Sequence, residues 1–405
     1  MAEKSNYYKD PGHARQVNWM FHPEIVKKVL EGKYNEITPY TAEFVVTTNC
    51  SNRCNICGYK PTKKIMGNWE KNDFSNPKYH MKSVDFGKSL LDKLFEAGLK
   101  GIIFTGGGEP FLHAGLEEMI KHTAENNIDF VLYSNGNSTS ERRLLKVVEL
   151  NPLLVRISLN AGTEEGYNRF HCPSNSKGAL QRCISSIEIV AKAALQNPNM
   201  DFGVGVVVCN ENEYELVEAA KRVREIKERT HGRIDYITYR PGFNYFGKEQ
   251  LSAELLDKAH RIVEEEVEKV MEGTGIRVSN VTPRYKALKE NTRHYTKCRG
   301  TGLFGEVAPE GTMHVCCDRN CHPDFIIGDL GLNSVKEIHS SKRRTNLLRC
   351  IDCNNCGNCP PACNPHDVNN QFEWIEEKRT EGKMNEVESF IKQKQEAGAP
   401  KMVNF

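Results

Sequence analysis

The sequence predicts an α/β protein: a partial (β/α)6 TIM-like barrel followed by a cysteine-rich C-terminal domain. Three observations carry this reading. Short apolar runs alternate with helical stripes from Ala42 to Met271. Polar, glycine-bearing motifs follow the apolar runs, on the one edge where parallel barrels place their chemistry. Of fifteen cysteines, three stand at 50–57 and nine at 298–363, so the thiols are grouped rather than scattered.

In order, residues 1–41 read as an irregular lead-in with one helix over Pro23–Leu30, where Ile25, Val26, Val29 and Leu30 form a stripe. Ala42–Thr48 is the first strand, and the loop Asn49-Cys50-Ser51-Asn52-Arg53-Cys54-Asn55-Ile56-Cys57 leaves its end. Residues 59–80 are polar, contain Pro and Asn, and show no period. Val84–Ala97 is helical through Leu90, Leu91, Leu94 and Phe95, with Gly98 and Gly101 bracketing its stop. Strand Gly101–Phe104, the turn Thr105-Gly106-Gly107-Gly108-Glu109-Pro110 and helix Gly115–Asn126 come next. Strand Asp129–Tyr133 leads through Ser134-Asn135-Gly136-Asn137 to helix Glu141–Glu149. Strand Leu153–Leu159 is followed by a loop and helix Ala179–Leu195. Strand Phe202–Cys209 precedes helix Glu213–Glu228. Strand Ile234–Tyr239 ends in Arg240-Pro241-Gly242 before helix Ala253–Met271. Continuous apolar strands suit a buried parallel sheet. Alternating units also allow an open doubly wound sheet, and six are too few to close an eight-stranded barrel.

The balance of 55 Lys+Arg against 53 Asp+Glu gives a net charge of +2 and calls for neither nucleic acid nor an anionic membrane as partner. The polar start Met1-Ala2-Glu3-Lys4-Ser5-Asn6 lacks an apolar signal core, and no apolar run approaches a membrane span. The expectation is a cytoplasmic protein, where disulfides are rare and grouped cysteines bind metal. Cys172, Cys183 and Cys209 stand apart and read as small buried apolar residues.

Cys50, Cys54 and Cys57 at C-x3-C-x2-C spacing bring three sulfurs to one side of a compact loop. That suits three corners of an iron–sulfur cube with its fourth iron open; a closed zinc site would want a fourth ligand nearby, and zinc or redox thiols are the alternatives. In the second turn, Glu109 and peptide carbonyls offer a receptor for a ligand ammonium, and bare glycines permit close backbone approach. A plain tight turn is the competing reading, and a dinucleotide fingerprint is absent.

Together these residues resemble the radical S-adenosylmethionine (radical SAM) family over roughly residues 40–242. The resemblance implies that Cys50, Cys54 and Cys57 hold a [4Fe–4S] cluster whose open iron takes the amine and carboxylate of S-adenosylmethionine. It implies that Gly106, Gly107, Gly108 and Glu109 receive the methionyl amine, and that Ser134, Asn135, Ser158 and Asn160 meet ribose or carboxylate, with Arg169 a further carboxylate candidate. The family's aromatic before the third cysteine is replaced by Ile56, so the adenine contact falls to Ile56 or Tyr59. The implied chemistry is reductive cleavage to a 5′-deoxyadenosyl radical that removes hydrogen from an unactivated carbon.

The later cysteines admit two patterns. Cys353-x2-Cys356-x2-Cys359-x3-Cys363 has ferredoxin-like spacing. Cys298-x12-Gly311-x4-Cys316 with Cys350-x2-Cys353-x5-Cys359-x3-Cys363 resembles the auxiliary-cluster extension called SPASM or twitch. The second accounts for both halves of the run and is preferred, with a further ligand drawn from Cys317, Cys321 or Cys356 or from a non-cysteine group. One or two auxiliary [4Fe–4S] clusters are expected, and a zinc ribbon is the alternative. The expected organisation is a lead-in (1–41), a radical SAM barrel (42–275), an auxiliary domain (276–365) and a helical tail (366–405).

The expected function is oxidation, such as dehydrogenation, of a small polar substrate like a sugar or aminocyclitol, with an external one-electron reductant of flavodoxin or ferredoxin type. A peptide maturase is the alternative, and a non-catalytic electron carrier or zinc-binding protein a distant one. Tyr239 and Arg240 at the sixth strand end are candidates for substrate binding or proton removal, against structural roles. His171 is a candidate base, against an ordinary solvated histidine.

Overall fold

The computed structural model describes residues 18–57, 81–210, 212–242, 251–280, 282–290, 293–319, 323–354, 359 and 363–398. Tyr59, Cys321 and Cys356 lie outside them.

One sheet organises the molecule. Its strands are β1 Thr41–Val45, β2 Gly101–Thr105, β3 Asp129–Ser134, β4 Leu154–Ser158, β5 Asp201–Val208, β6 Tyr236–Pro241, β7 Arg277–Asn280, β8 Phe304–Val307, β9 Thr312–His314 and β10 Ile326–Asp329. Their spatial order is β10-β9-β8-β1-β2-β3-β4-β5-β6-β7. β1 to β7 run parallel in chain order, β8 joins parallel on the other side of β1, and β9 and β10 follow antiparallel. The sheet does not close, as the partial barrel requires. Two pieces differ from expectation. β7 adds a seventh parallel strand whose Arg-Val-Ser-Asn holds one apolar residue, and Glu164–His171 is a helix rather than a loop. Thr163 caps that helix by accepting from the Gly166 amide, a local polar start, and Tyr167 and Phe170 are its buried side chains.

Strand alternation divides the sheet into two faces. Phe44, Phe104, Leu132, Ile157, Val204 and Ile237 belong to the main core under the connecting helices. Ile103, Val131, Leu154 and Tyr236 form a separate small cluster on the concave face and make its floor. Gly203 serves that floor: a Cβ there would stand 2.1 Å from the Tyr236 ring. The floor is apolar, and the concave face above it is free for polar side chains.

The lead-in and the last two helices pack together. Trp19, Ile25, Val29 and Tyr34 pack with Phe372, Ile375, Val387 and Ile391 of helices His366–Thr380 and Met384–Glu396. Trp19 Nε1 donates to Gln371 Oε1 at 2.7 Å, and the Trp19 and Phe372 rings meet edge to face at 5.3 Å. Among the described residues no helix is long and apolar enough to cross a membrane. Phe372→Ala should cost about 3–5 kcal/mol, read as a lowered midpoint in chemical denaturation followed by tryptophan fluorescence; an unchanged midpoint would mean that this second core contributes nothing.

Candidate active site

The loop after β1 is held from two sides. On one, Gly108 presses against it so closely that a Cβ would stand 2.0 Å from the Asn49 carbonyl oxygen, and the Glu109 amide donates to that same oxygen at 2.8 Å. On the other, the Arg53 amide donates to His171 O at 2.9 Å and the Asn55 amide to Phe170 O at 3.3 Å, which ties the cysteines to the end of helix Glu164–His171. Asn52 bridges the two, accepting from Asn137 Nδ2 at 3.0 Å and meeting His171 Nδ1 at 3.2 Å. Glycine spacing anticipated a close approach; the partner is the backbone of the loop itself.

Glu109 is 2% exposed and receives Ser134 Oγ at 2.8 Å and the Asn135 amide at 2.7 Å. Burial pushes its carboxyl up to about 7, against these hydrogen bonds. Asn135 Nδ2 donates in turn to Cys50 Sγ at 3.6 Å. Burial also pushes the Cys50 thiol up to about 12, so metal ligation there displaces a firmly held proton. His171 is no solvated histidine: it is 1% exposed, contacts Leu159 O at 3.1 Å through Nε2 and Cys54 Sγ at 3.2 Å through Nδ1, and burial lowers it to about 4. It is neutral at pH 7 and braces the cysteine loop. Asn160, at φ 59°, accepts from the Val207 amide at 2.8 Å and so locks the ends of β4 and β5 together.

These groups line one cleft of about 350 Å³. Cys50, Cys54, Cys57, Ile56, Gly106, Gly108, Glu109, Ser134, Asn135, Ser158, Asn160, His171 and Arg240 all reach it. Three predicted residues do not. Gly107 is off its lining. Arg169 lies over the Tyr214 ring at 4.6 Å with a half-exposed side chain. Tyr239 turns into the core, where its hydroxyl donates to Leu216 O at 2.9 Å. Cys172 is half-buried rather than buried, in a left-handed conformation at φ 40°.

Sequence reasoning missed Glu43, Tyr133, Arg156, Asp318 and Asn364, which complete the wall. Glu43 and Arg156 had a signal: each is a single charge inside an apolar strand. Glu43 and Glu306 are register partners on β1 and β8, Glu306 buried and Glu43 half-buried; desolvation raises both carboxyls, helped by repulsion from Asp318 at Glu43 and from Glu43 at Glu306. Asn364 Nδ2 donates to Cys317 Sγ at 2.9 Å and Glu43 Oε1 at 3.4 Å. A second, small cavity is lined by Cys298, Cys316, Cys353, Cys359 and Cys363. Cys350 is exposed at the end of helix Lys342–Cys350. Cys317 and Asp318 face the large cleft, and Asp318 lines both.

Donor spacing tests what each set holds. Sulfurs on one tetrahedral zinc sit ~3.8 Å apart, from a Zn–S length of ~2.3 Å. Among the described residues only Cys316, Cys317 and Asp318 bring three ligand atoms within 4.8 Å of one another. Cys50, Cys54 and Cys57 stand further apart around one wall of the cleft, which fits a polynuclear cluster better than a single ion. Gly108→Ala should push the loop off this wall: iron bound after anaerobic reconstitution is expected to fall by about four per chain, and unchanged iron would show that the close approach is dispensable.

Comparison with known proteins agrees. Residues 44–223 match the radical SAM superfamily model. Over 130 residues, 32% of this chain and 31% of the relative, it is 26% identical to AdoMet-dependent heme synthase of Oleidesulfovibrio alaskensis. Over 216 residues, 51% of this chain and 41% of the relative, it is 21% identical to dTDP-4-amino-4,6-dideoxy-D-glucose ammonia-lyase of Streptomyces venezuelae. The chain thus spans less than half the length of these curated relatives. Streptococcus suis SuiB bound to S-adenosylmethionine superposes with a TM-score of 0.58 at 12% identity, over 80% of this chain and 72% of that one, a likeness of fold. The family's [4Fe–4S] cluster and S-adenosylmethionine suit the three-cysteine wall, and the later cysteines suit auxiliary clusters. The matched stretch begins in β1 and takes in the strand ends that build the cleft as far as β5, and it is this part of the chain that matches the radical SAM superfamily.

Proposed function

We propose that the protein is a radical SAM oxidoreductase that removes hydrogen from an unactivated carbon of a small polar molecule, with a SPASM- or twitch-type domain as its second redox centre. The observation that carries the reading is the run of the cleft, from Cys50, Cys54 and Cys57 on one wall to Cys317 and Asp318 on another. A molecule held there lies between the two cysteine sets, and the electron left by an oxidation has a short way out. An external one-electron reductant of flavodoxin or ferredoxin type fits the other end of that path.

Cys50, Cys54 and Cys57 would hold the cluster, and Glu109 would receive the ligand amine. Bound together, the cluster and S-adenosylmethionine supply the one-electron cleavage; the protein supplies position and dryness. Burial keeps Glu109 ready to gain from an incoming ammonium, since an opposite charge relieves the desolvation of its carboxylate. Ser134 spends its hydroxyl proton on Glu109, Asn135 spends its side-chain amide on Cys50 and the Asn137 amide, and Asn160 spends its carbonyl on β5, so Ser158 is the better candidate for ribose or carboxylate. The cleft volume is of small-molecule size. The Streptomyces relative, named for an amino sugar nucleotide, supports a small polar substrate. A peptide maturase is the competing reading, since the SuiB fold has also been crystallised with its precursor peptide.

Reduced, reconstituted protein should convert S-adenosylmethionine to 5′-deoxyadenosine and carry ~8–12 irons per chain, at four per cluster. The triple change Cys50→Ala, Cys54→Ala, Cys57→Ala should abolish the product and leave the C-terminal iron bound. Product persisting in that variant would remove the loop from the chemistry. Deuterium transfer from labelled peptides, and not from labelled sugars or cyclitols, would move the substrate to the second reading.

A further inference from the structure

We propose that Arg156 is the anion receptor of this cleft and holds a carboxylate or phosphate oxyanion of the substrate. The inference rests on the reading of the cleft as a substrate site and deepens it by naming the charge the substrate must carry.

Arg156 sits at the centre of β4, between Leu154 in the floor and Ser158 at the rim. At ~3.3 Å per residue its Cα lies about 7 Å below that of Ser158. The residue is 6% exposed, yet it lines the cleft. Its one charged-group contact among the described residues is with the ring of Tyr133, its register partner on β3, 3.7 Å from the guanidinium carbon. Nothing among the described residues forms a hydrogen bond or ion pair with it.

The surroundings are shaped for this side chain. Gly205 on β5 leaves it space, since a Cβ there would stand 3.3 Å from Arg156 Cδ and 3.5 Å from Nε. The Tyr133 ring stabilises the cation through its face and spends none of the five N–H donors. The guanidinium is thereby laid on an aromatic plate, with its donors left over for the cleft. Burying such a charge without an ion-pair partner is costly, and among the described residues no carboxylate offsets the cost. A planar fork of donors matches a carboxylate or phosphate in bidentate geometry, which an ammonium cannot. Glu43 and Asp318 share the cleft, but neither pairs with Arg156; they are spent around Cys317 on the other wall. The depth also separates Arg156 from Glu109, Ser134 and Ser158, which gather at the strand ends.

The test is calorimetric titration of reconstituted protein, saturated with S-adenosylmethionine at low ionic strength, with inorganic phosphate, pyrophosphate and malonate as probes. The variants are Arg156→Met, which keeps volume and removes charge, and Arg156→Lys, which keeps charge and removes the fork; matched iron content and circular dichroism confirm their fold. At least one probe should bind the wild type, at least tenfold more weakly in Arg156→Met and by an intermediate amount in Arg156→Lys, with affinity for S-adenosylmethionine within about twofold of wild type. The carboxylate and phosphate probes tell which oxyanion the receptor prefers. No binding to wild type, or equal binding to wild type and Arg156→Met, would overturn the proposal. So would a tenfold loss of S-adenosylmethionine affinity in Arg156→Met, which would assign the residue to the cofactor's own carboxylate. A wild type that fails to cleave S-adenosylmethionine, yet binds anions through Arg156, would overturn the proposed reaction and sustain the receptor.

Discussion

Gly108 and Asn49 touch where no side chain could be placed between them, and the site is assembled from that contact outward. The β2 turn presses on the backbone that leads into the cysteines, and Glu109 donates its amide to the same carbonyl that Gly108 crowds. Glu109 is thereby fixed under the loop, where its carboxylate accepts from Ser134 and from the Asn135 and Phe111 amides, and Asn135 reaches back to Cys50. Three strand ends are joined in one circuit. A loop that must present three thiols gains by being held on both sides by rigid elements, and helix Glu164–His171 supplies the other hold.

The concave face is divided by height. Its floor is a compact apolar cluster, as a parallel barrel interior ordinarily is. Above it, single charges stand within apolar strands: Glu43 on β1, Arg156 on β4, Arg240 on β6 and Glu306 on β8. Charges in such places weaken a fold unless something compensates. Here Glu43, Arg156 and Arg240 line a cleft bounded by two sets of cysteines, and Gly205 makes room for Arg156. β8 is what brings the C-terminal cysteines to this cleft, by pairing with β1 and carrying Glu306 beside Glu43.

Periodicity and punctuation made most of the barrel legible. Strands β1 to β6 and the helices between them announce themselves by apolar runs and stripes. β7 could not be seen, since one valine among Arg, Ser and Asn is no run, and it is a strand because β6 offers it an edge. Helix Glu164–His171 escaped because it is short: its start is a threonine cap and its buried face is a single turn of Tyr167, Phe170 and His171. The three-cysteine loop and glycine turn were legible because spacing alone constrains them. Arg169 and Tyr239 show the limit: one lies on the helix that follows β4 and the other near the end of β6, but the direction of a side chain depends on helix phase and strand register. Cys350 makes the same point, being three residues from Cys353 yet turned outward by the helix it ends. Arg156 shows the converse, since its strand was found and its charge, the informative departure within that strand, was passed over.

The central claim is that Cys50, Cys54 and Cys57 hold a cluster with one iron open to the amine that Glu109 faces. Electron–nuclear double resonance on the reduced protein with amino-15N-labelled S-adenosylmethionine measures that coordination directly. A 15N coupling to the reduced cluster that disappears in Cys54→Ala is predicted. An uncoupled nitrogen beside a fully formed cluster would contradict the account.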